Sequence, residues 1–361
     1  MCTGGEILYR KPAFLFITLT FLFFSCKPQV EGLAVSTGEI INLAPNGAWV
    51  WHTDPVVLWQ KNKLYYTYVD IIKKNIMLSQ FNSLSGAISH IPLNGANLKS
   101  NLDSHAHAAI TLLPNNNIFA VYSRHTADKR FYYRTSFLPE PQKLADFSTE
   151  KYKDVGYANC YSNVYYLKNE KKLFYFSRNR EWKPNMLISN NLGKSWSEPE
   201  IVVVTKKSKT VRPYVHYSSN GIDRIDLIYT DGHPRKEKNS IYHVYYRRKH
   251  FYTSNGSRLA HLNNLPVVHK NGKYGTLVYT YSEKPLSNNE SYDDYIPYGR
   301  AWVWDIENDS KGNPACVFSV SLNAPKNSSW KEKRIFYYYA WWDGKVWNKK
   351  FFAQGGNPLY K

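Results

Sequence analysis

The feature that most constrains the fold is a phrase of strand, polar turn and aromatic-rich strand that recurs along the chain. It reads VVLWQKNKLYYTYVD at 56–70, AAITLLPNNNIFAVYSRH at 108–125 and SNVYYLKNEKKLFYFSRN at 162–179. It returns as YVHYSSNGIDRIDLIYTDGH at 214–233 and WVWDIENDSKGNPACVFSV at 302–320. Successive starts lie about 50–55 residues apart, except for an insertion before the fifth. A period of that size, with room for about four strands, marks the blades of a propeller. A β-sandwich would bring strands at shorter spacing without a repeated phrase. Helical periodicity is absent, and 30 Tyr, 17 Phe and 11 Trp need large sheets to bury them. The expected fold is therefore all-β, a propeller of four-stranded blades.

One turn adds to this. Ser189-Asn190-Asn191-Leu192-Gly193-Lys194-Ser195-Trp196 resembles the Asp box of sialidase-type propellers, with Asn191 in place of the usual Asp and Ser195 in place of Thr. That motif is a hairpin between outer strands of a blade, so it bears on fold and not on catalysis.

The first residues read as an address. Arg10 and Lys11 form a basic start, an apolar stretch runs from Ala13 to Phe24, and Ser25-Cys26 follows. The stretch is too short for a membrane span, which takes about 20 residues, and suits a signal-peptide core. A small residue before a cysteine at its end resembles a bacterial lipobox, so Cys26 is the expected lipidation site. The expected organisation is a lipoprotein signal at 1–25, a tether at 26–46 and a catalytic propeller at 47–361. The protein is then exported, as a cell-envelope lipoprotein (outer membrane, periplasmic or surface-facing) or in secreted form.

Losing the signal carries away Arg10, Lys11 and Glu6 and lowers the net charge only from +19 to +18. So basic a chain attracts polyanions. Export turns the expectation from nucleic acid to an acidic polysaccharide. Cys160 and Cys316 remain in the body, either paired in an oxidising compartment or buried as small apolar groups. No spacing supports a metal site that uses either.

Several phrases in order then carry a family resemblance. They are GAWVWHTDP (47–55), SHAHAAITLLPNNNIFAVYSRH (104–125), CYSNVYYL (160–167), FYFSRN (174–179), RPYVHY (212–217), TDGHPRKEKNSIYHVYY (230–246), WVWDI (302–306) and YYYAWWDGKVWN (337–348). The chain resembles the BNR-4 group of bacterial propellers, which includes the ulvan lyases of polysaccharide lyase families 24 and 25. The resemblance implies seven blades. At roughly 50 residues each, the length after the signal holds six comfortably and seven only tightly. Either a small ring or a truncation after GGNPLYK is the corresponding expectation.

The resemblance also implies β-elimination beside a uronic acid in a sulfated polysaccharide such as ulvan. That reaction needs a base for the C5 proton, a cation for the charge that spreads onto the carboxylate, and an acid for the oxygen at C4. It implies Arg178 as neutraliser of the carboxylate. A histidine (His105 or His125) and Tyr161 are the implied proton-transfer pair. Tyr214 and His233 hold the sugar, with Arg124 and Arg212 as further substrate-binding residues. The family usually has His-Asn where this chain reads His105-Ala106-His107, so His107 is an alternative, although the spacing to His125 favours His105. Trp49, Trp51 and Asp54 are weaker candidates, as ready to pack between blades as to meet a sugar. The chemistry requires no cofactor. The implied partners are the polysaccharide and, through the lipid, a membrane; no nucleic acid is expected, and the chain is expected to be a monomer.

Two rivals remain. A sialidase-like hydrolase would need an arginine triad, a Tyr–Glu pair and usually an Arg-Ile-Pro phrase, which is missing. A glycan-binding propeller lipoprotein without activity would not need His, Tyr and Arg at these positions.

Overall fold

The computed structural model describes residues 40–95, 102–205, 210–268, 275–322 and 334–356. The signal peptide, Cys26 and most of the tether lie outside the described residues, as does the end of GGNPLYK. The described residues form a β-propeller of five blades, each built on four antiparallel strands. Each repeated phrase supplies the first two paired strands of one blade. The five-blade count departs from the seven that the resemblance implies.

Blade 1 pairs Gly47–Ala48 and Val57–Gln60 with Lys63–Asp70, followed by Asn75–Asn82 and Ile88–Pro92. Blade 2 runs Ala109–Leu112, Ile118–Ser123, Arg130–Thr135 and Lys151–Asp154. Blade 3 runs Cys160–Leu167, Lys172–Arg178, Pro184–Ser189 and Glu200–Ile201. Blade 4 runs Val215–Ser219, Arg224–Thr230 and Ile241–Arg247. The insertion before the fifth phrase extends it. Ile241–Arg247 pairs with both His250–Tyr252 and Thr276–Tyr279, and Arg258–His261 pairs with His250–Tyr252. Blade 5 runs Gly299–Asn308, Pro314–Leu322, Ile335–Trp342 and Trp347–Gly355.

The polar turns of the phrases work as tight hairpins because their residues reach the left-handed region. Lys61, Asn116, Lys171, Gly221 and Gly312 all have φ between 54° and 80°. Strand alternation then sends one face of each sheet to the next blade. Tyr65, Val69 and Leu78 of blade 1 pack with Ile110, Ala120 and Tyr122 of blade 2. Phe119 and Phe131 of blade 2 pack with Val164 and Tyr175 of blade 3. Phe174 and Phe176 lie against Tyr217, Leu227 and Tyr246 of blade 4, and Ile228 and Ile241 against Phe318 and Tyr338 of blade 5. Blade 5 meets blade 1 through Trp51, which stacks on Trp304 at 4.5 Å between centroids.

The Asp-box-like turn sits between the third and fourth strands of blade 3. Asn191 Oδ1 accepts from the Ser195 amide at 2.9 Å, and Asn191 Nδ2 donates to Ser195 Oγ at 2.8 Å. Asn191 and Ser195 thus close the turn with each other. Trp196 is delivered onto Phe119, Phe131 and Tyr175, across the seam of blades 2 and 3. Cys160 and Cys316 are free buried thiols in different blades, which rules out the pairing alternative. No helix among the described residues is long and apolar enough to cross a membrane.

Candidate active site

At one end of the ring, side chains from blades 1 to 5 converge. Blade 3 supplies the centre. A register shift between Cys160 and Asn163 interrupts its first strand, and Tyr161 stands in it with φ 62°. A bulge of this kind re-aims a side chain out of the strand's alternation, at a cost in backbone strain. Opposite, Arg178 closes the second strand, paired with Cys160.

Arg178 is 7% exposed. Its Cζ lies 3.9 Å from the Tyr214 ring centroid and 5.0 Å from that of Tyr161, and Nη2 donates to the Pro213 carbonyl at 3.2 Å. No carboxylate among the described residues pairs with it. A guanidinium this deeply buried ordinarily has an anion beside it. Burial, with Tyr214 alongside, pushes the Tyr161 phenol well above its ordinary range, so it rests protonated despite the nearby arginine.

Blade 4 contributes Tyr214 and the TDGH loop. Thr230 Oγ1 accepts from the Tyr214 amide at 3.1 Å and donates to the Gly232 carbonyl at 2.8 Å. Asn239 Oδ1 accepts from the Gly232 amide at 2.9 Å, which folds the loop back on itself. His233 is thereby set edge-on to Tyr214, with centroids 5.3 Å apart. Burial, then the charges of Arg178 and Arg212, lower its pKa to about 4. Its ring is neutral at pH 7. Because Nδ1 accepts from the Arg235 amide at 3.0 Å, the proton sits on Nε2.

Blade 2 and the short turn Ser104–Ala106 bring in a stacked pair. The rings of His105 and His125 lie 3.9 Å apart and 10° from parallel, at 5.7 and 6.1 Å from Tyr161. Both face one carboxylate, with Asp103 Oδ1 3.2 Å from His105 Nδ1 and Oδ2 2.7 Å from His125 Nδ1.

The floor comes from the GAWVWHTDP phrase. His52 is 5% exposed, 5.0 Å from Tyr161 and 4.7 Å from Tyr214 between ring centroids. Burial, reinforced by His216 and Arg178, drives its pKa well down, and neither ring nitrogen has a hydrogen-bond partner. Asn163 holds this segment, accepting from the Asp54 amide at 2.8 Å and donating to the carbonyls of Tyr161 and His52 at 2.9 and 3.2 Å. Nearby, Asp54 and Asp305 are half-buried; desolvation and then Glu307 raise the Asp54 carboxyl well above its usual range, and desolvation with Asp54 lifts Asp305 to about 7.

The model of the BNR repeat-containing family matches residues 63–354. This chain belongs to that family. No curated protein matches it. Among solved structures it is similar to an ulvan lyase of polysaccharide lyase family PL25 bound to -[GlcA(1-4)Rha3S]-. The TM-score is 0.59 and the identity 13%, over 89% of this chain and 74% of that one. It is also similar to the polysaccharide lyase Uly1, at TM-score 0.56 and 12% identity, over 90% of this chain and 76% of that one. At these identities the likeness is one of fold.

Within this BNR-repeat propeller, the candidates named from sequence separate by position. Tyr161, Arg178 and Tyr214 line one cavity with His52 and Asn163, and His105, His125 and His233 flank it. Arg212 stands exposed at the rim, its Cζ 4.8 Å from the Trp182 ring, and its charge reaches His233. Arg124 is turned to Asp128, with Nη1–Oδ2 at 3.2 Å. His107 is 1% exposed and bonds the Val50 carbonyl through Nε2 at 2.8 Å, so it belongs to the wall. Trp51 packs on Trp304, Trp49 is half exposed, and Asp54 lies beneath the site near His216.

Sequence reasoning missed His52, Asn163 and Asp103. His52 stands in GAWVWHTDP between Trp51 and Asp54, and nothing in that phrase sets it apart from them. Asp103 directly precedes the SHAH segment, and an acid two residues before a histidine was the available signal.

Asp103, His105 and His125 also place one ligand atom each within 4.8 Å of one another. A metal does not fit them as they stand. Imidazole lone pairs lie in the ring plane, and two stacked rings 10° from parallel do not converge on one ion.

Proposed function

We propose that this protein is a polysaccharide lyase that cleaves an acidic, sulfated uronic-acid polysaccharide of the ulvan class by β-elimination. The observation that carries the reading is Arg178. It is a buried cation between two tyrosine rings, no carboxylate among the described residues pairs with it, and its charge reaches His52 and His233. A uronate carboxylate supplies the missing charge and can take the guanidinium fork bidentately. The neutral His233 offers an Nε2–H to the same sugar.

The protonated Tyr161 and the stacked histidines beside it support the following division of the proton transfers. Tyr161, buried and protonated, donates to the C4 oxygen as it leaves. A histidine of the stacked pair takes the C5 proton. The C5–H electrons become the C4–C5 double bond, the C4–O bond breaks, and the departing oxygen leaves as a hydroxyl. Arg178 holds the charge that builds on the carboxylate between these events. The signal sequence supports a protein lipid-anchored at Cys26 on the cell envelope, where such a polymer is met.

The test is incubation of the mature chain with ulvan, with pectin and heparin as controls. A lyase produces the ultraviolet absorbance of the new double bond. Reducing ends without that absorbance would mean a hydrolase, and neither product would mean a binding protein.

A further inference from the structure

His105 and His125 reach the site by different routes, one on a short turn and the other past the end of a strand with φ 42°. Neither position fixes its imidazole by itself, since a histidine ring can flip and exchange tautomers. What the two share is Asp103. Its oxygens are divided, Oδ1 lying 3.2 Å from His105 Nδ1 and Oδ2 2.7 Å from His125 Nδ1. Oδ1 also accepts from the His105 amide at 2.9 Å, capping the turn that carries His105. A carboxylate has two oxygens with about four acceptor sites, and here both oxygens are used within one stacked pair.

We infer that Asp103 is the positioning residue for both histidines: one carboxylate fixes two stacked imidazoles as Nδ1–H tautomers and so presents both Nε2 lone pairs away from itself. The inference rests on the lyase reading above, because there one of these lone pairs takes the C5 proton. Asp103 touches no substrate in this role. It orients the acceptor and stabilises the imidazolium that forms, as second partners of functional histidines do. Although burial works against it, hydrogen bonds from His105 and His125 hold the Asp103 carboxyl well below the usual range, so the acceptor is ionised throughout the working pH. Ser104 Oγ, 3.4 Å from His105 Nδ1, is too long to substitute for it.

The perturbation is Asp103→Asn. Asparagine is a good cap, so the turn survives, but it has one acceptor oxygen where two are used. The first readout is independent of activity. Long-range nitrogen–proton NMR spectra of the mature chain at a pH where the imidazoles are neutral should show both rings as Nδ1–H in the wild type. In the variant at least one should change to a mixture of tautomers. The second readout is kinetic, with kcat on ulvan falling about 10–100-fold, KM staying within about two-fold, and Asp103→Glu recovering part of the loss. Both rings remaining Nδ1–H in Asp103→Asn would overturn the inference, and so would a changed tautomer with unchanged kcat. If the wild type fails to turn over ulvan, the lyase reading falls, and the tautomer result still decides whether Asp103 positions the pair.

Discussion

Replacing Arg178 with alanine separates a residue kept for chemistry from one kept for the fold. The side chain gives the folded state one hydrogen bond to the Pro213 carbonyl, worth about 1 kcal/mol. Its contacts with the Tyr214 and Tyr161 rings add about 1–2 kcal/mol each where water is excluded. Against this stands the cost of burying a guanidinium that no carboxylate among the described residues pairs with, of the order of several kcal/mol for a charge at 7% exposure. These terms nearly cancel, so Arg178→Ala should change stability by less than about 2 kcal/mol, a melting shift of a few degrees in a chain of this length. Turnover should fall by about 10²–10³, the usual loss when one donor to a developing charge is removed. Arg178→Lys keeps the charge but not the planar fork, and should recover only part of the rate. The assay pairs thermal melts with initial rates of double-bond absorbance on ulvan. A folded Ala variant with near wild-type turnover would refute the argument. So would a melting temperature lower by much more than this balance allows, which would mark Arg178 as a structural residue.

The three neighbouring histidines should divide in the same two assays. His107→Ala empties a buried site and loses the bond to Val50, so it should destabilise by about 2–4 kcal/mol. His105→Ala and His125→Ala should melt near wild type and lose turnover. Acid should weaken the fold through His107 and His216, whose pKa values burial lowers from 6.5 to about 4. Between those values the unfolded chain binds the protons and the folded chain does not. Stability should therefore fall as pH drops from about 6.5 towards 4, by up to about 1.4 kcal/mol per pH unit for each histidine. Urea midpoints taken between pH 7 and pH 5 check this, and a flat profile would contradict it. Binding to ulvan should weaken with added salt, since the expected mature chain, of formal charge +18 once Arg10, Lys11 and Glu6 are lost from +19, attracts a polyanion over long range. Titrations at low and high ionic strength would show it.

What the sequence by itself determined is what local physics decides. Alternating aromatic strands around turns such as Lys61-Asn62 and Asn115-Asn116-Asn117 produce hairpins wherever they occur, and their regular return implies blades. Tyr161, Arg178 and Tyr214 were named through the family resemblance, and the structure brings the three to one cavity. The five repeated phrases match the five blades of the described residues, whereas the seven came from the resemblance, and only the pairing of His250–Tyr252 and Thr276–Tyr279 with Ile241–Arg247 shows that the insertion extends blade 4. Only the tertiary structure decided between His105 and His107. They are two residues apart, and the end of the short Ser104–Ala106 turn sends one towards His125 and the other into the wall against Val50, 57 residues away in the chain. His52 beside Tyr161 and Tyr214 is likewise a product of tertiary packing. It meets residues more than a hundred positions further along, and its neutrality comes from burial among them. No pattern near residue 52 carries that information, because desolvation is a property of the space a side chain occupies and not of the sequence around it.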